Sequence, residues 1–330
     1  MAVTANTNET YDVSTIREDL SEAMASITPT ETLLMSSIGT RNVDNTFFEW
    51  SEVDLAATGA NRQIEGDVGL SNTAPTNAVR KGGFTQISAK VVEVSSTNQA
   101  VNGVANAQTV AKQVAYKLSE LKRDMEAMLL DNVASNSGSS GTARQTAGLP
   151  AYLTTNVSRG ASGANGTTSG TGESGHVDAA ATDGTLRPIT EALLKGVIAD
   201  CWNSGATPKI VMCGSAQKQK ISTFTGNATR FKEAEDSKLN AAIDVYVSDF
   251  GEVQIVPNRH MRVRTVSSVD HTPDVLVLDP SFAEVAYLQT AKQEPLAKTG
   301  LSERRLISCE YGLQVTSQKA HGIVADINAS

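Results

Sequence analysis

Residues 104–133 read VANAQTVAKQVAYKLSELKRDMEAMLLDNV, the longest regular pattern in the chain. Its apolar residues recur at spacings of three and four, at Val104, Ala107, Ala111, Val114, Leu118, Leu121, Met125, Met128 and Leu129. This spacing predicts a one-sided helix of about 30 residues and about 45 Å, longer than the usual three or four turns. We therefore expect a strut that crosses the body, with its charged residues, Glu126 among them, on the opposite polar face.

The sequence before this helix predicts a long protruding β-hairpin, or flap. Its two legs are expected at FFEW (47–50) and FTQISAKVVEVS (84–95), because both are rich in branched and aromatic residues. The stretch between them, 57–77, is polar and dotted with Gly and Asn, so it has little to bury. Since an isolated hairpin is marginal in water, the flap is predicted to need a neighbour. The alternative is a disordered surface loop.

The rest of the chain divides into an arm, an insertion and a mixed layer. A helix is predicted at 14–27, where Ile16, Leu20, Ala23 and Ile27 share one face. The Gly/Ser-rich run 158–175 predicts a flexible surface insertion. Two predicted helices at 188–205 and 215–224 enclose a short strand, KIVMCG, and several strands follow. This order of elements predicts an α+β fold.

Two motifs that suggest nucleotide chemistry have simpler explanations. Asp249-Phe250-Gly251 matches a kinase magnesium signature, but the other kinase motifs are missing from the sequence. It lies between VYVS and EVQIV, so it predicts the turn of a hairpin. The segment 170–175 matches G-x-G-x-x-G inside a Gly/Ser run, where chance explains the match.

Composition narrows the classes of function further. The net charge is −8 and no long basic block occurs, which argues against a module that reads DNA sequence. The N-terminus lacks a secretory signal pattern and no apolar run could span a bilayer, so we expect a soluble protein made in a reducing cytoplasm. The four His and three Cys residues show no zinc-ligand spacing. We therefore predict no catalytic residue, cofactor or metal, although a hydrolase using Asp and Glu, or a surface adhesin, stays open on residues alone.

Several stretches, taken in order, point to one family. They are 10–39 (TYDVSTIREDLSEAMASITPTETLLMSSIG), 47–67 (FFEWSEVDLAATGANRQIEGD), 120–132 (ELKRDMEAMLLDN), and 248–261 (SDFGEVQIVPNRHM) followed by VLVLDP. Together they resemble the Hong Kong 97-type (HK97-like) major capsid proteins of tailed double-stranded DNA bacteriophages. The resemblance implies an N-terminal arm, an extended β-hairpin E-loop, a long spine helix, a P-domain sheet and an α/β A-domain.

The resemblance also implies domain boundaries. They are 1–48 for the arm, 49–96 for the E-loop, 97–150 for the P-domain with the spine helix, 151–185 for the Gly/Ser-rich insertion, 186–280 for the A-domain, and 281–330 for the P-domain return strands and C-terminus.

The function implied is structural. Copies of the chain would assemble in the host cytoplasm as homo-hexamers and homo-pentamers that form an icosahedral head around packaged DNA. The implied partners are other copies, a portal protein, scaffolding and decoration proteins, and DNA bound without sequence preference, but no membrane. Within the E-loop, charged residues are predicted to contact the neighbouring subunit: Arg62, Glu65, Asp67, Arg80 and Lys81.

Overall fold

The computed structural model describes residues 28–60, 62, 65–66, 75–101, 109–169, 175–224, 245–298 and 300–328. The helix predicted at 14–27, and Asp67 of the predicted contacts, lie outside these ranges. The helices are α1 (Leu33–Ser37), α2 (Ser96–Ala100), α3 (Val110–Leu130), α4 (Leu149–Tyr152), α5 (Glu191–Asn203) and α6 (Ser215–Ile221). Short 3₁₀ turns occur at Pro280–Phe282 and Gln318–Ala320.

The predicted strut is helix α3, which covers 21 residues. It begins after its N-cap, Thr109, so it is shorter than the predicted length of about 30; residues 102–108 lie outside the described ranges. The apolar face is confirmed, because Leu121, Met125 and Leu129 are buried.

The placement of Glu126 on the polar face is wrong. Its side chain is fully buried, and its carboxylate accepts hydrogen bonds from Leu34 N (2.6 Å) and Met35 N (3.0 Å) at the start of α1. It also accepts one from Asn258 Nδ2 (2.8 Å). These bonds offset the cost of burying the charge. Since the donors lie 91 to 132 residues away, periodicity within the helix could not reveal them.

The strands in chain order begin with β1 (Gly39–Asn42), β2 (Phe47–Glu52), β3 (Val79–Phe84), β4 (Gln86–Ser95), β5 (Val157–Ser158), β6 (Thr167–Thr168), β7 (Val177–Ala179) and β8 (Ile210–Cys213). They continue with β9 (Val245–Ser248), β10 (Gly251–Pro257), β11 (Arg264–Val266), β12 (Val269–His271), β13 (Val275–Leu278), β14 (Ala283–Pro295), β15 (Ser302–Val315) and β16 (Gly322–Val324).

Two sheets form the body. The first has the order β1-β14-β15-β4, with β1 parallel to β14 and the other pairs antiparallel, and α3 packs on it. The second has the order β5-β16-β13-β8-β10-β9 and carries α5 and α6. The predicted hairpin at Asp249-Phe250-Gly251 is confirmed: Ser248 pairs with Gly251, whose φ of +135° suits glycine. The α+β class is likewise confirmed.

The predicted second leg of the flap is wrong. Strand β2 pairs with β3, from Phe47↔Phe84 to Glu52↔Val79, whereas β4 runs along β15 in the body. The chain changes sheets at Thr85, which is fully buried; its Oγ1 donates to Glu310 Oε1 (2.7 Å) and its carbonyl accepts from Arg144 Nε (3.3 Å). Strand-like composition identifies β4 as a strand but does not specify its partner.

The described part of the segment 151–185 is packed into the body, which differs from the flexible insertion that was predicted. Strand β5 joins the second sheet beside β16, and β6 pairs with β7. The Asp326 carboxylate accepts hydrogen bonds from Gly160 N (3.0 Å) and Gly184 N (2.7 Å). A Cβ at Gly160 would collide with the carbonyl oxygen of Thr185. The glycines therefore allow close backbone approach here.

Candidate inter-subunit surface

The base of the flap, formed by β2 and β3, is fixed to the body by aromatic side chains. We call it the flap root. Phe48 stacks on Trp50 with ring centroids 6.0 Å apart, Trp50 lies 6.5 Å from Tyr152, and all three are buried. A Cβ at Gly83 would lie 2.9 Å from Phe48 Cζ, so the glycine makes room for this ring. These contacts give the root the packing of a core.

The outer edge of β3 has its own anchor. Gly82 N donates to the carbonyl oxygen of Gly175 (2.7 Å), and Lys81 forms a parallel bridge with Gly175. Next to it, the ring of His176 meets Phe84 edge-on at 5.2 Å and Phe47 at 6.4 Å. The Phe47 ring covers Gly82 so closely that a Cβ there would collide with it.

The first leg is tied to the body by polar contacts. Ser317 Oγ donates to Glu52 Oε1 (2.7 Å), and Lys81 Nζ lies 3.1 Å from Glu52 Oε2. Lys319 Nζ pairs with Asp54 Oδ2 at 2.5 Å. Beside these contacts lies an open groove of about 310 Å³, lined by the first leg, the end of α5 and the turn at Gln318–Ala320.

The flap exposes apolar side chains at and beyond the outer end of the root. Beyond it, Leu55 is 84% exposed and Val53 53%, and Val79, the first residue of β3, is 45% exposed. Exposed apolar side chains on a leg that the body does not cover are candidates for contact with another molecule. The flap thus combines a fixed root with legs that bury little on their own chain.

Four of the five predicted contact residues lie in the described ranges, and Asp67 lies outside them. Arg62 and Glu65 are exposed in the part of the flap beyond the root. Arg80 pairs with Glu49, and Lys81 with Glu52, both across the β2–β3 hairpin. These two cations thus have partners in their own chain, and their contact with a neighbour stays a prediction.

Sequence reasoning missed two features of this surface. The apolar residues Val53 and Leu55 lie between the predicted first leg and the polar stretch 57–77, and they are not among the predicted contact residues. The in-chain ion pairs had a usable signal, because Glu49 and Glu52 on one leg oppose Arg80 and Lys81 on the other.

A second exposed apolar feature lies at the second body sheet, which contains β9 and β10. Trp202, near the end of α5, stacks on Phe250 of the β9–β10 turn with centroids 5.1 Å apart, and both rings are partly exposed. On β4, Ile87 and Val91 also face outward.

Burial is the main cause of the shifted pKa values of Cys201, Cys213 and His321. Burial raises the pKa of both Cys201 and Cys213 to about 12, so these thiols stay protonated and unreactive at neutral pH. Burial lowers the pKa of His321 to about 4, so the imidazole is uncharged at neutral pH. Across the described ranges, no three His, Cys, Asp or Glu side chains gather as a metal site. Nor does any described helix have the length and apolarity to cross a membrane.

Comparison with known proteins agrees with this picture. The family model described as SU10 major capsid protein matches residues 3–328. The major capsid protein of Escherichia phage Phieco32 is 28% identical over 125 residues, a match that spans 38% of this chain and about a third (35%) of that relative.

Solved structures show the same fold. The capsid of a native GTA particle (13% identity, 96% and 97% of the two chains) and that of Cyanophage P-SCSP1u (12%, 99% and 97%) both have a TM-score of 0.62. The holo-SrpI encapsulin complex of Synechococcus elongatus PCC 7942 has a TM-score of 0.55 (11%, 96% and 94%). The Hong Kong 97-type fold predicted from the sequence is therefore confirmed. The comparisons give no support to the hydrolase alternative.

Proposed function

The chain belongs to the SU10 major capsid protein family and has a structural role in a phage capsid, and from this premise we propose how its copies assemble. We propose that they form homo-hexamers and homo-pentamers that tile an icosahedral head around packaged double-stranded DNA. In this assembly the flap acts as the E-loop and lies across a neighbouring subunit.

One observation carries this proposal: Leu55 is 84% exposed on a leg whose root is rigidly fixed. Full burial of a leucine side chain is worth about 1.5–3 kcal/mol. Since the described residues leave Leu55 uncovered, we infer that the side chain gains this burial from another molecule. Because each copy both donates and receives a flap, a modest gain per contact is multiplied around the shell.

The test is Leu55→Asp, with Leu55→Met as the matched control. We expect Leu55→Asp to abolish rings and megadalton shells in size-exclusion chromatography and electron microscopy, because a carboxylate would be buried against the neighbour. Leu55→Met keeps an apolar side chain of similar volume and should assemble as the parent chain does.

Folding must be checked separately in this experiment. Since Leu55 buries little on its own chain, both variants should unfold at the same temperature as the parent. Shells of Leu55→Asp in parental yield would contradict the interlocking role of the flap.

The finer partners are also part of the proposal. A separate scaffolding protein would guide assembly in the host cytoplasm, and expression of the chain alone should then give capsomers or irregular particles. Closed, uniform shells from the chain alone would refute this. A portal protein and decoration proteins complete the proposed set.

Packaged DNA is proposed to contact the chain weakly and without sequence preference, because the net charge is −8. Binding to a defined duplex should disappear as salt is raised to physiological levels. A salt-resistant site with sequence preference would contradict this.

The domain boundaries stay a proposal with one change. The E-loop ends at Phe84 rather than at residue 96, because β4 belongs to the body sheet.

A further inference from the structure

The flap leaves the body beside an open groove. This groove, of about 310 Å³, separates the first leg at residues 51–54 from residues 204–206, which follow α5. Two polar ties cross from the leg to the turn at Gln318–Ala320 and the residue before it: Ser317 to Glu52 and Lys319 to Asp54. The angle of the leg above the groove is therefore defined by this turn.

The β3 edge of the root has further contacts. Gly82 N donates to the carbonyl oxygen of Gly175 (2.7 Å), Phe47 lies on Gly82, and His176 meets Phe84 edge-on. Apolar and ring contacts depend less on direction than hydrogen bonds and ion pairs do. A small rotation of the root would therefore preserve much of the ring packing, but it would strain the hydrogen bond at Gly82 and the ties across the groove.

The two ties differ in strength. The Glu52 side chain is only 12% exposed and accepts from both Lys81 and Ser317, so this contact is well shielded from water. Asp54 is 63% exposed and Lys319 36%, so solvent weakens their ion pair. The outer tie is thus the one that a neighbouring subunit could open at little cost.

We propose that Ser317 and Lys319 form a latch that sets the angle of the flap, with Lys319–Asp54 as its releasable half. The consequence for shells rests on the proposed function, because the latch then fixes where Leu55 is presented to the neighbour. The latch itself is a property of the single chain.

The test uses Lys319→Met, with Lys319→Arg as the control that keeps the charge. Amide hydrogen exchange is measured by mass spectrometry on the purified full chain, with every variant compared in the same assembly state. We expect exchange in strands β2 and β3 (residues 47–52 and 79–84), whose ladder protects their amides, to be about two- to fivefold faster in Lys319→Met, the change that loss of an exposed ion pair would give. Lys319→Arg should match the parent chain.

A charge swap separates the latch from a general loss of stability. Asp54→Lys alone should speed exchange as Lys319→Met does. The double variant Asp54→Lys with Lys319→Asp should return it to the parental rate, because the pair is restored with reversed sign. Parental exchange in Lys319→Met, or failure of the swap to restore slow exchange, would overturn the latch.

This readout does not depend on shell formation. If Leu55→Asp assembled normally, the proposed function of the flap would fail while the exchange result would stand. If the exchange rates did not change, the latch would fail while the flap could still interlock subunits.

Discussion

Two antiparallel hairpins of the chain, β14–β15 and β2–β3, differ in what surrounds them. In β14–β15, strand β1 pairs with one edge, β4 pairs with the other, and α3 packs on the sheet. Val285, Tyr311 and Leu313 are fully buried in it. In β2–β3, core-like packing is confined to the root, and the leg beyond it exposes Leu55.

The difference shows where the stability of a hairpin comes from. Both pairs form antiparallel ladders; that of β2–β3 runs without a register shift, and that of β14–β15 has register shifts around Gln289. Cross-strand pairs contribute only about 0.2–1 kcal/mol each, so the larger share must come from burial against further elements. A hairpin that finds those elements in its own chain becomes core, whereas one that does not is available to another subunit.

The largest expected effect compares one leucine from each hairpin. Leu313→Ala should lower the free energy of unfolding by about 2–5 kcal/mol, because it leaves a cavity in the core. Leu55→Ala should change it by less than about 0.5 kcal/mol. Urea unfolding of both variants measures this, and similar losses would show that the two hairpins are packed alike.

The next effect is the pH dependence of the body, through His321. Burial lowers its pKa to about 4 from 6.5, so the unfolded chain binds the proton more tightly. Stability from this group is therefore present above pH 6.5 and is lost as the pH falls to 4, by about 3 kcal/mol. His321→Asn should remove this part of the slope in unfolding measured from pH 7 to 4; an unchanged slope would assign it to other groups.

A third effect tests whether the flap root behaves like the body. Gly82→Ala should cost about 1–3 kcal/mol, because the new Cβ collides with the Phe47 ring. Gly59→Ala, farther along the flap, meets no atom within 4 Å and should be nearly neutral. Thermal unfolding compares them, and equal behaviour would mean that the root is not fixed.

The smallest effect on stability is expected at Arg80. Its pair with Glu49 is largely exposed, so Arg80→Met should cost about 0.2–1 kcal/mol. If Arg80 also contacts a neighbour, this variant should assemble less well than Glu49→Gln, which breaks the same pair but keeps the cation. Equal particle yields from the two variants, by electron microscopy, would make the predicted inter-subunit role of Arg80 wrong.

Much of the fold could be predicted from local patterns. Spacing in α3, the Asp249-Phe250-Gly251 turn and the α5–β8–α6 order all follow from residues close in sequence. The errors share one cause, because Glu126, β4 and Gly160 depend on partners more than 20 residues away. Composition correctly identifies Glu126 as acidic, β4 as strand-forming and Gly160 as small. It does not identify the distant residues that each of them contacts.

The candidate surface was predictable in outline only. A polar stretch between β-like legs indicated a protrusion, and the order of motifs indicated its family. The exposed residues of this surface were not identified, because the sequence does not show which side chains the folded body leaves uncovered, as it does Leu55. The contact of Arg80 and Lys81 with a neighbour stays a prediction, and their partners across the hairpin, Glu49 and Glu52, were not considered.

The pairing of β4 with β15 has a consequence for synthesis on the ribosome. Residues 86–95 cannot pair until residues 302–311 have been synthesised, more than 200 positions later. The hydrogen bond from Asn258 to Glu126 likewise cannot form until Asn258 has been synthesised. The N-terminal half thus leaves the exit tunnel with an unpaired strand edge and a carboxylate without all its donors, conditions that favour slow folding and chaperone binding. We expect subunits to become competent for assembly only after translation has almost ended.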